Sequence, residues 1–197
     1  MDTTGLEALR DMFGPNRYEL KFYPAPGSER TPFALVCPGG GYACVMSCIE
    51  GKPIAKALNE RGYSVFVLRY RCRERARYPS PLIDIANAVK EILAHADCYR
   101  VDPQNYAVFG FSAGGHLAAM YGVKALGWGK FALPRPTVLV LSYPVITMGE
   151  KTHAGSRDNL LGKHPAHDAI QRCSVEKQVN ADYPPTFLWC GDADKTV

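Results

Sequence analysis

The chain has 197 residues, 47% of them hydrophobic, which suits one substantial core and a single domain over 1–197. Residues 69–77, Arg-Tyr-Arg-Cys-Arg-Glu-Arg-Ala-Arg, carry the entire formal charge of +4, whereas a nucleic-acid protein would spread its basic residues over a face. No apolar run is long enough to cross a bilayer, and seven cysteines without metal-site spacing follow a start, residues 1–14, that lacks a leader pattern; the expectation is a cytoplasmic protein in a reducing compartment, without nucleic-acid or membrane partners.

Taken in chain order, strands are expected at 18–23, 33–37, 64–69, 106–109, 137–142 and 186–190. Several are continuous Val/Leu/Phe runs, the pattern of a parallel strand covered on both faces. Helices are expected at 53–61, 81–95 and 113–125. The second carries Leu82, Ile85, Ala86, Val89, Ile92 and Leu93 on one stripe. Ser47 and Glu50 have capping-box spacing ahead of the first helix, and Pro53 suits an early helical turn. Strands alternating with helices predict an α/β fold, a mostly parallel sheet with helices on both faces. The arginine-rich segment 69–77 reads either as a solvated loop or as an anion-attracting rim beside a site. Segment 148–171 breaks the alternation, as a lid or pocket wall would.

Two stretches carry chemistry. Gly110-Phe111-Ser112-Ala113-Gly114-Gly115 joins an expected strand to an expected helix, the context of a nucleophile elbow that exposes the Ser112 hydroxyl above a sheet. Pro38-Gly39-Gly40-Gly41-Tyr42 follows another strand with the place and composition of an oxyanion loop, whose N–H groups stabilise the negative charge that develops in acyl transfer. A phosphate loop would need a following Gly-Lys-Ser/Thr or GxGxxG spacing, and neither is present. The residue after the nucleophile, Ala113, would supply a second N–H.

With these in place the chain resembles the α/β-hydrolase fold. That resemblance implies an acid in Gly191-Asp192-Ala193-Asp194-Lys195-Thr196-Val197, at Asp194 with Asp192 as runner-up, and the triad order Ser, acid, His. All five histidines precede the acid. His95 ends a helix and His116 opens the one after the elbow. His153, His164 and His167 lie in the excursion as pocket rim or surface, and His164 with His167 lacks a third metal ligand. The histidine is therefore expected beyond residue 197, and the fold is expected to be C-terminally incomplete or the chain a degenerate homologue.

More narrowly, Cys37 to Tyr42, Glu50-Gly51, Leu68-Arg69-Tyr70-Arg71, Gly110 to Leu117 and Ser142-Tyr143-Pro144-Val145 resemble bacterial esterases related to acetyl xylan esterases. The resemblance implies a serine esterase that deacetylates sugars or small esters, with no cofactor and no metal. Ser112 and Asp194 would be catalytic and Gly39, Gly40 and Ala113 would form the oxyanion hole. Tyr42, Pro144 and Val145 would contact substrate. Pro38 stands where related enzymes carry histidine, which leaves the choice among Gly39, Gly40 and Gly41 open. An amide hydrolase on the same fold, either an arylformamidase or a small peptidase, and a noncatalytic binding protein are the alternatives.

Overall fold

A computed structural model of the protein describes residues 17–27 and 29–196. Residues 1–14, read above for a leader, lie outside them. All six expected strands form, as β1 (Glu19–Tyr23), β2 (Thr31–Cys37), β3 (Ser64–Arg69), β4 (Val101–Phe111), β5 (Val138–Ser142) and β6 (Thr186–Trp189). They make one sheet in the order β1-β3-β2-β4-β5-β6, parallel throughout except for the β1–β3 pair. The expected helices form as α1 (Lys52–Asn59), α2 (Ser80–Ala94) and α4 (Ser112–Gly122), with a short α3 (Ala96–Tyr99) between the last two.

Period-2 alternation sends successive side chains of each central strand to opposite faces, and both faces are covered. Phe33 and Leu35 of β2, Phe66 and Leu68 of β3, and Val108 of β4 point into the larger core with Ile85 and Val89 of α2 and Leu117 and Tyr121 of α4. Ala34 and Val36 of β2 and Val65 and Val67 of β3 point the other way, against Ala55, Ile54 and Leu58 of α1. Burying these apolar side chains supplies about 25 cal/mol for each Å² removed from water.

One reading changes. Ser47 and Glu50 do not form a capping box: Ser47–Gly51 is a single π-helical turn, α1 begins after Gly51 without a side-chain cap, and Glu50 faces a different partner described below. Segment 148–171 is helical in part, as α5 (Ala154–Leu161) and the start of α6 (His167–Cys173). In the arginine run Arg73, Arg75 and Arg77 are exposed, while Arg69 is buried and Arg71 half-buried. Arg71 pairs with buried Asp84 at 2.8 Å and donates to the Ser80 carbonyl, and Arg77 donates to the carbonyls of Asp158 and Asn159 in the last turn of α5, where the helix dipole favours a cation. Arg71 thus ties the segment after β3 to α2, and Arg77 ties it to α5. Among the described residues no helix is long and apolar enough to cross a membrane, no three His, Cys, Asp or Glu converge as metal ligands, and the seven cysteines are free thiols.

Candidate active site

From the carboxyl end of β2 the chain turns towards β3 on one side, and from β4 towards β5 on the other. The crevice between β2 and β4 is therefore the topological switch point, where open α/β sheets bind ligands. The glycine loop leaves β2 there and Ser112 leaves β4.

Ser112 has φ of 49°, a left-handed backbone that costs a non-glycine residue on the order of 1–3 kcal/mol, and it starts α4 directly after extended Phe111. Glycine is required on either side of so tight a turn. A Cβ on Gly110 would lie 2.6 Å from the Gly114 carbonyl oxygen, and one on Gly114 would lie 2.1 Å from that of Cys37. The helix start packs against the strand carrying the glycine loop, which holds the strained serine in place.

The glycine loop is pinned by its carbonyls. Pro38 O accepts from the Tyr70 hydroxyl at 2.7 Å, Gly39 O from Met46 N–H at 3.0 Å, and Gly40 O from Ala43 N–H at 2.9 Å. Gly41 O accepts from the Asn159 side-chain amide at 2.9 Å, and Tyr42 O from Arg73 N–H at 2.7 Å. In a planar trans peptide the next residue's N–H points opposite to the carbonyl, so fixing each carbonyl fixes a donor. Gly40 and Gly41 turn at φ of 123° and 63°, the region that favours glycine. Such preorganised donors are what an oxyanion site requires.

The amide of Gly39 is committed elsewhere. It donates to Glu50 Oε2 at 2.6 Å, while Glu50 Oε1 accepts from the Tyr143 hydroxyl at 3.0 Å. The Gly39 N–H is thus bound to a carboxylate, which leaves those of Gly40 and Gly41 as the glycine donors of the loop. Burial, then the Glu50 carboxylate, push the Tyr143 hydroxyl up to about 12, so it stays protonated and donating.

Tyr42, expected at the substrate, is instead a core residue, 1% exposed, with its hydroxyl 2.8 Å from His116 Nδ1. His116 Nε2 lies 2.7 Å from the Cys173 carbonyl, which can only accept, so the proton sits on Nε2 and Nδ1 accepts from Tyr42. Burial lowers its pKa to about 4. A neutral imidazole with both nitrogens engaged and no exposure is structural.

His153 caps α5: its Nδ1 accepts from Ser156 N–H at 3.2 Å and lies 2.8 Å from the Ser156 hydroxyl. An accepting Nδ1 places the proton on Nε2, so this ring offers the site a donor and not a base. It lines a cleft of about 530 Å³ with Pro144, Val145, Glu150, Lys151 and Glu176. Pro144 and Val145, two of the expected substrate contacts, thus lie on a cleft wall that is tied to the elbow by Val145 N–H donating to Ser112 O at 3.1 Å. Of the other histidines, His95 bonds the Glu91 carbonyl of its own helix, and His164 and His167 are exposed.

The acid turn follows β6 at the same sheet edge, two strands from β4. Asp194 Oδ1 accepts from Thr196 N–H at 2.8 Å and Asp194 N–H donates to Gly191 O at 3.2 Å. Both Asp192 and Asp194 are exposed. The strand is joined to β5 by Trp189 Nε1 donating to Ser142 Oγ at 3.0 Å, and the Trp189 ring meets Tyr143 edge-on at 5.4 Å.

A match to the BD-FAE family spans residues 21–127, which takes in β2, the glycine loop, the elbow and α4. The chain belongs to this family, a group of α/β-hydrolase carbohydrate esterases. Over 173 residues it is 38% identical to a Butyrivibrio fibrisolvens protein described as endo-1,4-beta-xylanase B, covering 83% of this chain and 27% of that one. It is 30% identical over 164 residues to an acetylxylan esterase of Xylanibacter ruminicola, covering 81% and 33%. The BD-FAE chain thus spans about a quarter to a third of the length of these curated relatives. Its fold superposes with a TM-score of 0.84 on an acetyl ester-xyloside bifunctional hydrolase from Caldicellulosiruptor lactoaceticus, at 35% identity over 93% of this chain and 69% of that one.

Sequence reasoning missed Glu50, Tyr143, Asn159 and Tyr70 as parts of the site. Glu50 and Tyr143 stand within quoted motifs, yet no local spacing links either to Gly39. Their contacts are made across elements far apart in the chain.

Proposed function

We propose that this protein is a serine-dependent carboxylic ester hydrolase that deacetylates acetylated sugars or small esters through an acyl-enzyme. The observation that carries the proposal is the elbow itself: a serine in a left-handed turn at the switch point, beside a glycine loop each of whose carbonyls is held by a hydrogen-bond donor. Ser112 Oγ attacks the ester carbonyl carbon, and the N–H groups of Gly40 and Ala113 receive the developing oxyanion. Collapse releases the alcohol and leaves an acetyl-serine, which water then hydrolyses. Asp194 orients the histidine that takes the serine proton and returns it to the leaving alcohol. By chain order that histidine follows Asp194, since His116 and His153 are both held in donor tautomers by other partners. Side chains lining the cleft beside the elbow, Glu150, Lys151, His153 and Glu176, suit the hydroxyls of a sugar. The acetylxylan esterase and acetyl ester-xyloside hydrolase among the relatives favour an ester over an amide substrate.

The test uses the full-length protein. It should release acetate from an acetylated xylo-oligosaccharide and hydrolyse an aryl acetate, and a fluorophosphonate should label Ser112. Ser112→Ala should abolish labelling and lower turnover by up to about 10⁶-fold. Wild-type hydrolysis by that variant rejects the nucleophile, and a full-length protein that neither hydrolyses nor labels supports the noncatalytic reading.

A further inference from the structure

We propose that Glu50 is the positioning residue of the oxyanion hole, holding the glycine loop in register with Ser112 and with the end of β5. This inference rests on the esterase reading above. A Cβ built on Gly39 would lie 2.9 Å from Glu50 Oε2, from Ser112 Cβ and from the Phe111 carbonyl oxygen, so the backbone of Gly39 fills the space between the nucleophile and the carboxylate. Gly39 is gripped at both ends, its N–H by Glu50 and its C=O by Met46 N–H. Because that C=O shares a peptide plane with Gly40 N–H, the grip on Gly39 sets where the Gly40 donor points. The other Glu50 oxygen holds Tyr143, whose own N–H donates to Trp189 O at 2.7 Å. One carboxylate thus connects the loop after β2, the turn after β5 and the strand that leads to the acid turn.

The charge itself does not explain the arrangement. Among the described residues no cation pairs with Glu50, and a bare carboxylate this near the reaction centre opposes a developing oxyanion. Its contribution is that of an acceptor for two neutral donors, a role glutamine keeps in part. Glutamine retains one carbonyl oxygen for Gly39, whereas alanine frees the Gly39 peptide to rotate and carries the Gly40 donor with it.

In the full-length protein Glu50→Ala should therefore lower kcat on an aryl acetate by about 10²-fold, the scale of losing one oxyanion donor, with KM changed less than about threefold. Affinity for a trifluoromethyl ketone, which forms a tetrahedral adduct on the serine, should fall by the same factor as kcat/KM. Glu50→Gln should recover kcat to within about tenfold of wild type. Tyr143→Phe, which removes one donor and leaves the backbone intact, should cost a few-fold on its own and little more when added to Glu50→Ala. The proposal is overturned if Glu50→Ala keeps kcat within threefold, if glutamine is no better than alanine, or if ketone affinity is unchanged while kcat falls. Should Glu50→Ala fail to fold, the comparison of Glu50→Gln with Tyr143→Phe decides, and equal wild-type ketone affinity in both overturns it. A wild-type protein that Ser112→Ala inactivates while Glu50→Ala does not sinks this proposal alone; a wild-type protein without hydrolysis or labelling sinks both.

Discussion

Strands β3 and β6 are alike as sequences, Ser-Val-Phe-Val-Leu-Arg and Thr-Phe-Leu-Trp, and opposite as structures. All six residues of β3 are buried, whereas all four of β6 are exposed, with Phe187 61% accessible. The strand interior is apolar in both. The difference lies in what covers it: β3 sits between β1 and β2 with packed side chains on both faces, while among the described residues β6 pairs with β5 and has only the contacts of Trp189 with Tyr143 and Ser142 as side-chain cover. The components of the site divide along the same line. The glycine loop and elbow rise from the doubly covered strands, where each backbone group has one place to go. The acid turn extends from the exposed strand, and Asp194 in it makes local turn bonds to Thr196 N–H and to Gly191 O.

The sharpest way to break this comparison is a methyl group at each end of it. In Gly114→Ala the new Cβ falls 2.1 Å from Cys37 O and 2.3 Å from Pro38 O, backbone atoms at the end of central strand β2 and the start of the pinned glycine loop, and loss of the folded state is the expected outcome. Gly191→Ala, just after β6, meets nothing within 4 Å and should change stability by less than about 0.5 kcal/mol. Urea unfolding of the two variants measures both. A Gly114→Ala protein within about 1 kcal/mol of wild type would show that the centre yields as readily as the edge.

A smaller effect is expected from pH at the covered side. Burial holds His116 near a pKa of about 4, below the 6.5 of the exposed side chain, so between those values the unfolded chain binds the extra proton. Stability from this group is complete above pH 6.5 and is lost as pH falls towards 4, by at most about 3 kcal/mol. His116→Gln should lose that part of the slope, seen as the difference between the two proteins' urea midpoints across the range. Identical slopes would mean that water reaches the ring. Because its lone pair is taken by Tyr42, the substitution should leave the pH dependence of hydrolysis unaltered.

The same contrast explains what the sequence made legible. Strand and helix positions followed from local pattern, since period-2 and helical spacing are properties of neighbours in the chain, and Gly110, Ser112 and Gly114 are legible because an elbow needs its residues two apart. Glu50 was misread because its spacing from Ser47 satisfies a helix-start rule, while its actual partners, Gly39 and Tyr143, are 11 and 93 residues away. Tyr42 was misread for a related reason. A residue directly after the glycine loop is near the site in sequence, but its φ of 57° turns the ring inward to His116. Nor does anything in Thr-Phe-Leu-Trp itself tell a covered strand from an exposed one.

The smallest expected change in stability tests the edge directly. Phe187 and Leu188 are 61% and 49% exposed, so replacing both with threonine removes little buried area and keeps a β-branched residue suited to a strand. Stability of the 197-residue chain should shift by less than about 0.5 kcal/mol. Association should shift more, because an apolar edge strand offers both unpaired backbone groups and apolar side chains to a second molecule. Sedimentation velocity over a range of concentrations should therefore show weaker self-association for the double variant than for wild type at equal stability. If the variant instead loses more than about 1 kcal/mol, the side chains of β6 are buried in solution, and the two strands that look so different are held by the same packing.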